Sequence, residues 1–393
     1  VPNFKTKKIK NLILPYSRDE VEFLWCAQND KISLIYTKVK EESFFLQIKK
    51  EQNAFVLKCD KHTKPSKIAY LQKALTIFKE DFCEDIINEA FKLKNNALIE
   101  KTPFILNDFE ELLFKLQGRI YIEIGFGSGR HLLYQARENP HVLILGVEIY
   151  NKALTQVAKL AKAQNINNIL LVQSDARLLL SVLKSQSVEK IFLHFPVPWD
   201  KKPHRRVISQ DFCKECARVL KYNGRFELRT DSFEYFNFTL NQFLNFPSPK
   251  FSLKKNENLE VSSKYEDRWK RQEKNIYDLW VWNFDQKDEN YQLDVLDFSC
   301  FKLSQEDLKL IECNFQNKTI KKENFFLHFE KLYKQDENLI LKIAFGAFNK
   351  PEHCYLYLKD TIHFLFKKPF KIQENIQAMK TLKEIIQMRF NNI

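Results

Sequence analysis

Between residues 20 and 60 apolar and polar residues alternate in short runs: EVEFLWCA, KISLIYTKV, SFFLQIKK and NAFVLKC. A period of two is that of a half-buried strand. The Asn-Asp and Glu-Glu pairs between the runs mark turns, so the pattern predicts a meander of antiparallel strands. Helical spacing takes over in SKIAYLQKALTIFKEDF, and residues 84–100 are expected to form a linker helix and loop. From residue 119 the rhythm changes. RIYIEI, VLILGV, NILLV, VEKIFLHF and GRFELRT read as strands, with helical RHLLYQARE, YNKALTQVAKLAKAQ, ARLLLSVLK and SQDFCKECARVLK between them. Strands alternating with helices predict an α/β, mostly parallel, doubly wound sheet with helices on both faces.

After about residue 286 the alternation stops. ENFFLHFEKLY, NLILKIAFGAF, CYLYLKD and TIHFLFKK read as strands, and IQENIQAMKTLKEIIQMRF as a closing helix. The expected division is therefore 1–100, a smaller α+β region; 101–285, the doubly wound domain; and 286–393, a second α+β region. The two flanks share an order of several strands and then a helix. Related modules and two unrelated α+β pieces both fit that order.

Composition adds a direction. Of the net charge of +13, residues 1–100 contribute +4, residues 101–285 contribute +7 and the rest +2. A basic middle favours a phosphate-rich partner, although a chain rich in Lys, Asn, Phe and Ile with only 7 Gly also fits a biased genome. No apolar run approaches the roughly 18 residues of a membrane span. The start, VPNFKTKKIKNLILPYSR, opens like a signal peptide, but its apolar stretch is only Leu12 to Tyr16 and no small-residue cleavage site follows. The expectation is a cytoplasmic protein with reduced thiols and no membrane. Cys213 and Cys216 have redox or zinc spacing, yet both fall in a helix with no second pair nearby, so core packing and no metal are expected. His194, ending a strand, reads as structural. Trp269, Trp280 and Trp282 could stack on bases, with core burial the simpler expectation.

The chemistry concentrates where strands end. In Glu123-Ile124-Gly125-Phe126-Gly127-Ser128-Gly129 a strand gives way to a helix, and the glycines let the backbone approach a ligand at a helix N-terminus. The loop alone suits a dinucleotide, S-adenosylmethionine or a plain turn. Glu148 ends the second strand, where an acid can accept from both hydroxyls of a ribose. Asp175 follows the third and can face an adenine amino group, while Glu123 would lie near the cationic end of S-adenosylmethionine. Any one of these acids could instead cap a helix or sit in a solvated loop. Three at successive strand ends, beside a G-x-G-x-G loop, favour S-adenosylmethionine over NAD. After the fourth strand, His194-Phe195-Pro196-Val197-Pro198-Trp199-Asp200-Lys201-Lys202-Pro203-His204-Arg205-Arg206 makes a stiff, basic, aromatic loop fit for phosphates. A solvated basic loop is the bland alternative.

EIGFGSG at 123–129, PVPWDKK at 196–202, RTD at 229–231 and SKYE at 263–266 stand in order. With these motifs residues 110–285 resemble the bacterial tRNA (guanine-N7)-methyltransferases, whose hallmarks are E-I-G-F-G-x-G, P-D-P-W-x-K-K, A-T-D and T-K-F-E. The resemblance implies a Rossmann-like class I methyltransferase fold and a tRNA partner. Its target would be guanine 46 in the variable loop, with S-adenosylmethionine bound by Glu123, Gly125, Gly127, Gly129, Glu148 and Asp175. It assigns substrate binding to Lys201, Asp231, Ser263, Lys264, Tyr265 and Glu266. Lys202, Arg205 and Arg206 are expected to join Lys201 on the tRNA backbone. Asp231, and next Glu266, are the expected catalytic carboxylates; Asp231 could instead cap the helix beginning at Ser232.

The flanks, 1–100 and 286–393, have no expected counterpart in the usual compact enzyme of this family, and three departures stand out within the motifs. Val197 replaces the family's aspartate between the prolines, Ser263 replaces Thr, and the basic stretch is about two residues short. A methyltransferase for another substrate, and a non-catalytic RNA-binding protein on the same fold, are the alternatives.

Overall fold

The computed structural model describes residues 2–91, 103–106, 109–261, 266–267, 272–282, 298 and 301–391. Backbone contacts separate two compact units, Ile99–Gln292, and Val1–Leu98 together with Leu293–Ile393. The division into three drawn from the sequence thus becomes two, because the flanks share one sheet.

For the flanking unit, β1 (Asn3–Ile9), β2 (Tyr16–Arg18), β3 (Val21–Gln28), β4 (Ile32–Val39), β5 (Glu42–Glu51) and β6 (Ala54–Cys59) precede α1 (Ile68–Phe82) and β7 (Cys83–Glu89). Residues 84–89 are therefore strand, not the expected linker helix, and β7 pairs antiparallel with β1. Most of its side chains are exposed, so this edge strand carries no apolar alternation to read.

The middle unit runs β8 (Ile105–Leu106), α2 (Phe109–Lys115), β9 (Ile120–Ile124), α3 (Arg130–Glu138), β10 (Leu143–Glu148), α4 (Asn151–Ala163), β11 (Ile169–Gln173) and α5 (Ala176–Val182). Then come β12 (Val188–His194), α6 (Gln210–Val219), β13 (Leu220–Thr230), α7 (Phe233–Leu244), β14 (Lys250–Lys255) and β15 (Tyr277–Trp282). The sheet order is β14-β15-β13-β12-β9-β10-β11-β8. All neighbours are parallel except β15, which runs antiparallel to both β13 and β14. This is the expected doubly wound class I arrangement. The chain leaves β9 toward β10 and later returns to β12 on its other side, so the order reverses at β9. Ligands of such sheets bind beyond the carboxyl ends at that crevice. Phe212, Tyr235 and Phe243, from α6 and α7, cover one face over Phe226, Leu228, Leu279 and Val281; Leu132, Leu154 and Val157, from α3 and α4, cover the other over Ile144 and Leu171. Ser209 and Ser232 cap α6 and α7, each accepting a backbone N–H three residues on.

The flanking unit resumes with α8 (Gln305–Asn314), β16 (Thr319–Lys321), β17 (Phe326–Gln335), β18 (Asn338–Gly346), β19 (Glu352–Leu358), β20 (Ile362–Leu365) and α9 (Gln373–Gln387). A three-residue strand, a four-strand meander and a 15-residue helix occur twice: β2 to β6 with α1, and β16 to β20 with α9. Both copies carry a bulge in the first strand of the meander, between Phe23 and Trp25 and between Phe329 and Lys331. The copies join where β3 meets β17 antiparallel, at Gln28 and Lys334. Across this junction Phe45 and Tyr355, each the fourth residue of its meander's third strand, meet edge to face at 5.0 Å. The strand-then-helix order of the two flanks is thus one of matching modules. No helix among the described residues is long and apolar enough to cross a membrane.

Candidate active site

β9 ends in the glycine loop. Gly125, Gly127 and Gly129 all take left-handed φ values, 68°, 50° and 72°. Gly129 has a second reason: a Cβ there would stand 2.3 Å from Val157 Cγ2, so only glycine lets α3 start this close to α4. At Gly125 the Cβ direction meets nothing within 4 Å, which leaves the loop an open cradle for a ligand. Glu148, at the end of β10, is buried and holds the cradle in shape. One carboxylate oxygen accepts the Gly127 N–H at 3.2 Å; the other accepts those of Ile149 and Tyr150 at 2.8 and 3.1 Å. Ile149 then projects 58% exposed, an apolar side chain beside the loop.

Glu123 is 3% exposed and lies against Nδ1 of His131 at 2.8 Å. Burial lowers the proton affinity of His131, but the charge and hydrogen bond of Glu123 outweigh it and the net shift is upward. The His194 ring lies tilted against it, centroids 4.4 Å apart; burial, with the charges of His131 and Arg229, pushes its affinity well down, so it stays neutral as a structural residue should. Asp175 caps α5, accepting the Arg177 N–H at 2.9 Å, and forms an ion pair with the Arg177 guanidinium at 2.6 Å. That is the helix-cap alternative for this acid, and any adenine contact is made beside Arg177.

The Pro-Trp loop leaves the end of β12 and is tied to the next strand by Phe195 N–H donating to Arg229 C=O at 2.7 Å. Phe195 and Trp199 both sit at φ 49°, a left-handed backbone that costs bulky residues of order 1 kcal/mol. Lys201, Lys202 and Arg205 are exposed, with the Arg205 guanidinium over the Trp199 ring at 5.2 Å. Arg206 departs from the expectation. It is 9% exposed, donates Nε–H to Pro198 C=O at 2.8 Å and lies over Phe238 at 4.6 Å, so it pins the loop from inside. Val197 is 61% exposed, and the loop keeps its shape without an acid there.

Asp231 follows β13 and lies 3.1 Å from the Lys274 ammonium. Ser232, not Asp231, caps α7. Glu266, the second expected catalytic carboxylate, is 1% exposed and meets Arg229 at 2.9 and 3.3 Å. Arg229, also 1% exposed, reaches both oxygens of Asp278 at 2.6 Å and the Glu257 carbonyl at 2.7 Å. One guanidinium therefore gathers three points of the chain between 257 and 278 behind Asp231. Arg229 was not among the expected site residues, because in FELRT it reads as one more polar residue of a strand that also carries Arg225 and Glu227. Ser263, Lys264, Tyr265 and Trp269 lie outside the described residues. Cys213 and Cys216 are buried in the core, and among the described residues no group of three His, Cys, Asp or Glu could hold a metal.

The carboxyl ends of β10, β9, β12 and β13, neighbours in the sheet, thus carry Glu148, the glycine cradle, the Pro-Trp loop and Asp231 in sequence. A family model described as "Putative methyltransferase" matches residues 117–279. A tRNA (guanine-N(7)-)-methyltransferase of Campylobacter jejuni subsp. jejuni serotype O:23/36 (strain 81-176) is 79% identical, covering 99% of this chain and 100% of its own. Proteins of the same description from Campylobacter fetus (43% identity, 98% and 99% coverage) and Wolinella succinogenes (37%, 89% and 90%) are similar over both flanks as well.

Proposed function

The chain belongs to the tRNA (guanine-N(7)-)-methyltransferase family, and from that premise we propose that it methylates N7 of a guanine in tRNA, at position 46, in the cytoplasm. The observation that carries the reading is the adjacency of the glycine cradle on β9, the basic Pro-Trp loop on β12 and Asp231 on β13.

Bound in the cradle, S-adenosylmethionine supplies a methyl group on a cationic sulfonium. The Glu148 carboxylate, fixed by three backbone N–H groups, meets the ribose hydroxyls. Glu123 keeps lone pairs for the cationic end of the cofactor while it accepts from His131. Guanine N7 already offers an in-plane lone pair, so no strong base is required and the task is alignment. Asp231 accepts hydrogen bonds from the guanine N1–H and amino group and stabilises the positive charge that develops on the base. Lys201, Lys202 and Arg205 hold the backbone nearby. Glu266 acts through Arg229, by holding the chain behind Asp231.

Incubation with labelled S-adenosylmethionine and unmodified tRNA, followed by nucleotide mapping, is expected to give 7-methylguanine at the variable loop. Measurable cofactor binding without label in any tRNA would overturn the reading.

A further inference from the structure

One face of the β12-β13-β15-β14 edge carries a pattern that the active site does not use. Strand register places Lys190 opposite Arg225, Arg225 opposite Trp282, and Trp282 opposite Lys250. Residues directly opposite share a face, so these four make one row across four strands, about 14 Å long at the usual strand spacing. Trp280 and Lys254 continue on the same face at the alternate positions of their strands. The opposite face, with Phe226, Leu228, Leu279 and Val281, is the one packed in the core beneath α6 and α7.

Cations alone on such a face would need no special account, since charged residues keep sheet surfaces soluble. Two half-buried tryptophans among them do need one. The rings hold the cations in place: Arg225 lies 4.2 Å and Lys254 4.7 Å from the Trp280 centroid, and Lys250 lies 5.5 Å from that of Trp282. Lys190 is held in the same way, 4.6 Å over the Tyr121 ring. A long side chain fixed over an aromatic ring has lost much of its rotamer freedom before any partner arrives. Glu227 and Glu257 pair with Arg225 and Lys254 at 2.5 and 2.9 Å, and Asp278, opposite Lys254 in register, is held by Arg229 at 2.6 Å. The sequence segment that bears it also carries the largest charge excess of the chain.

We propose, on the reading that tRNA is the substrate, that this face is a second docking surface for the tRNA sugar-phosphate backbone. Lys190, Arg225, Lys250 and Lys254 meet phosphates, and Trp280 and Trp282 serve as the platform that orders them. The row crosses β13 at Arg225, midway along the strand and short of the carboxyl end that carries Asp231, so it holds a part of the tRNA other than the target base.

The test uses the full chain with Lys190→Gln, Lys250→Gln and Lys254→Gln combined. Charge removal is expected to raise KM for tRNA about tenfold and to flatten the log KM against log salt slope by roughly 0.7–0.9 per lost phosphate contact. The kcat and the affinity for S-adenosylmethionine should not change, which also reports a folded variant. An independent reading comes from the wild-type protein: hydroxyl-radical oxidation of Trp280 and Trp282 should fall when tRNA is bound. An unchanged KM and salt slope, or equal tryptophan oxidation with and without tRNA, overturns the surface while leaving the activity standing. A wild-type enzyme that labels no tRNA overturns the activity itself.

Discussion

Each unit buries a cation between two carboxylates, and the two cations do different work. In the catalytic unit Arg229 reaches Asp278 at 2.6 Å and Glu266 at 2.9 Å. In the flanking unit Lys342 reaches Glu330 at 3.1 Å and Asp60 at 3.7 Å. The planar guanidinium satisfies two acids and a carbonyl at once from a strand two residues before Asp231. The ammonium is a point charge, and its neighbours are completed by His353 on Glu330 at 2.8 Å and by the Tyr355 ring at 5.4 Å. Arg229 therefore shapes a loop beside a reactive site, whereas Lys342 joins Asp60 of the first module to Glu330 of the second. Burial of charge orders a loop in one unit and joins two modules in the other. Location decides which: a carboxyl strand end in a parallel sheet, or the seam between two antiparallel modules.

Removing each cation should separate these roles. Arg229→Ala leaves two carboxylates buried without their partner and should cost about 3–5 kcal/mol of stability. It should also lower tRNA methylation at temperatures where the fold persists. Lys342→Ala should cost about 3 kcal/mol, since Glu330 keeps His353, and should leave kcat at 25 °C unchanged. Urea unfolding and steady-state kinetics on the same preparations read both quantities. Equal loss of turnover in the two variants would erase the distinction.

Asp231 sharpens the contrast from the other side, because its partner Lys274 is exposed and such a pair contributes little stability. Asp231→Ala should lower kcat/KM by about 100-fold or more through lost charge stabilisation of the transition state. The unfolding midpoint should move little, and S-adenosylmethionine should bind as before. Retained activity would remove Asp231 from the mechanism.

The two units were unequally legible. Alternating strands and helices outlined the catalytic sheet, because parallel strands buried on both faces leave unbroken apolar runs such as VLILGV. The cofactor cradle was legible because glycines at a strand end have a local reason to be there. The burial of Arg206 and Glu266 was not legible for a shared cause: a charged residue in a basic or acidic motif looks exposed in sequence, while its burial is set by Phe238 in one case and Arg229 in the other. Phe238 and Arg229 each lie more than thirty residues along the chain from the charge they bury. In the flanks, the meanders were readable by their period of two. Their union in one sheet was not, since β3 and β17 are about 300 residues apart and pair only near Gln28 and Lys334. The exposed edge strand β7 had no pattern at all.

Acid should expose the same contrast in its mildest form. In the flanking unit, burial and the charges of His353 and Lys342 hold His62 down to about 4, against the pull of Asp60 and Glu330. The unfolded ring takes its proton near 6.5 and the folded one only near 4, so stability falls as pH drops through that window. Glu330 extends the trend. Burial raises its affinity, but the His353 hydrogen bond and the Lys342 charge prevail and bring it to about 2. Its contribution, full above the ordinary carboxylate range near 4.5, is lost as pH falls toward 2. The catalytic unit has opposing histidines: His131, shifted up, contributes below 6.5 and loses that contribution as pH rises, while His194, shifted down, loses stability as pH falls. Their effects oppose near neutrality, so lowering pH from 7 to 5 should loosen the flanking unit first. Hydrogen exchange at β18 and β19 should quicken relative to β9 and β10, and His62→Leu should reduce the difference by removing the site that titrates. His62 is half exposed, so the effect is the smallest of these. Faster exchange in β9 and β10 than in the flanking strands would show that the buried charges of the catalytic unit, not those of the seam, set the acid limit.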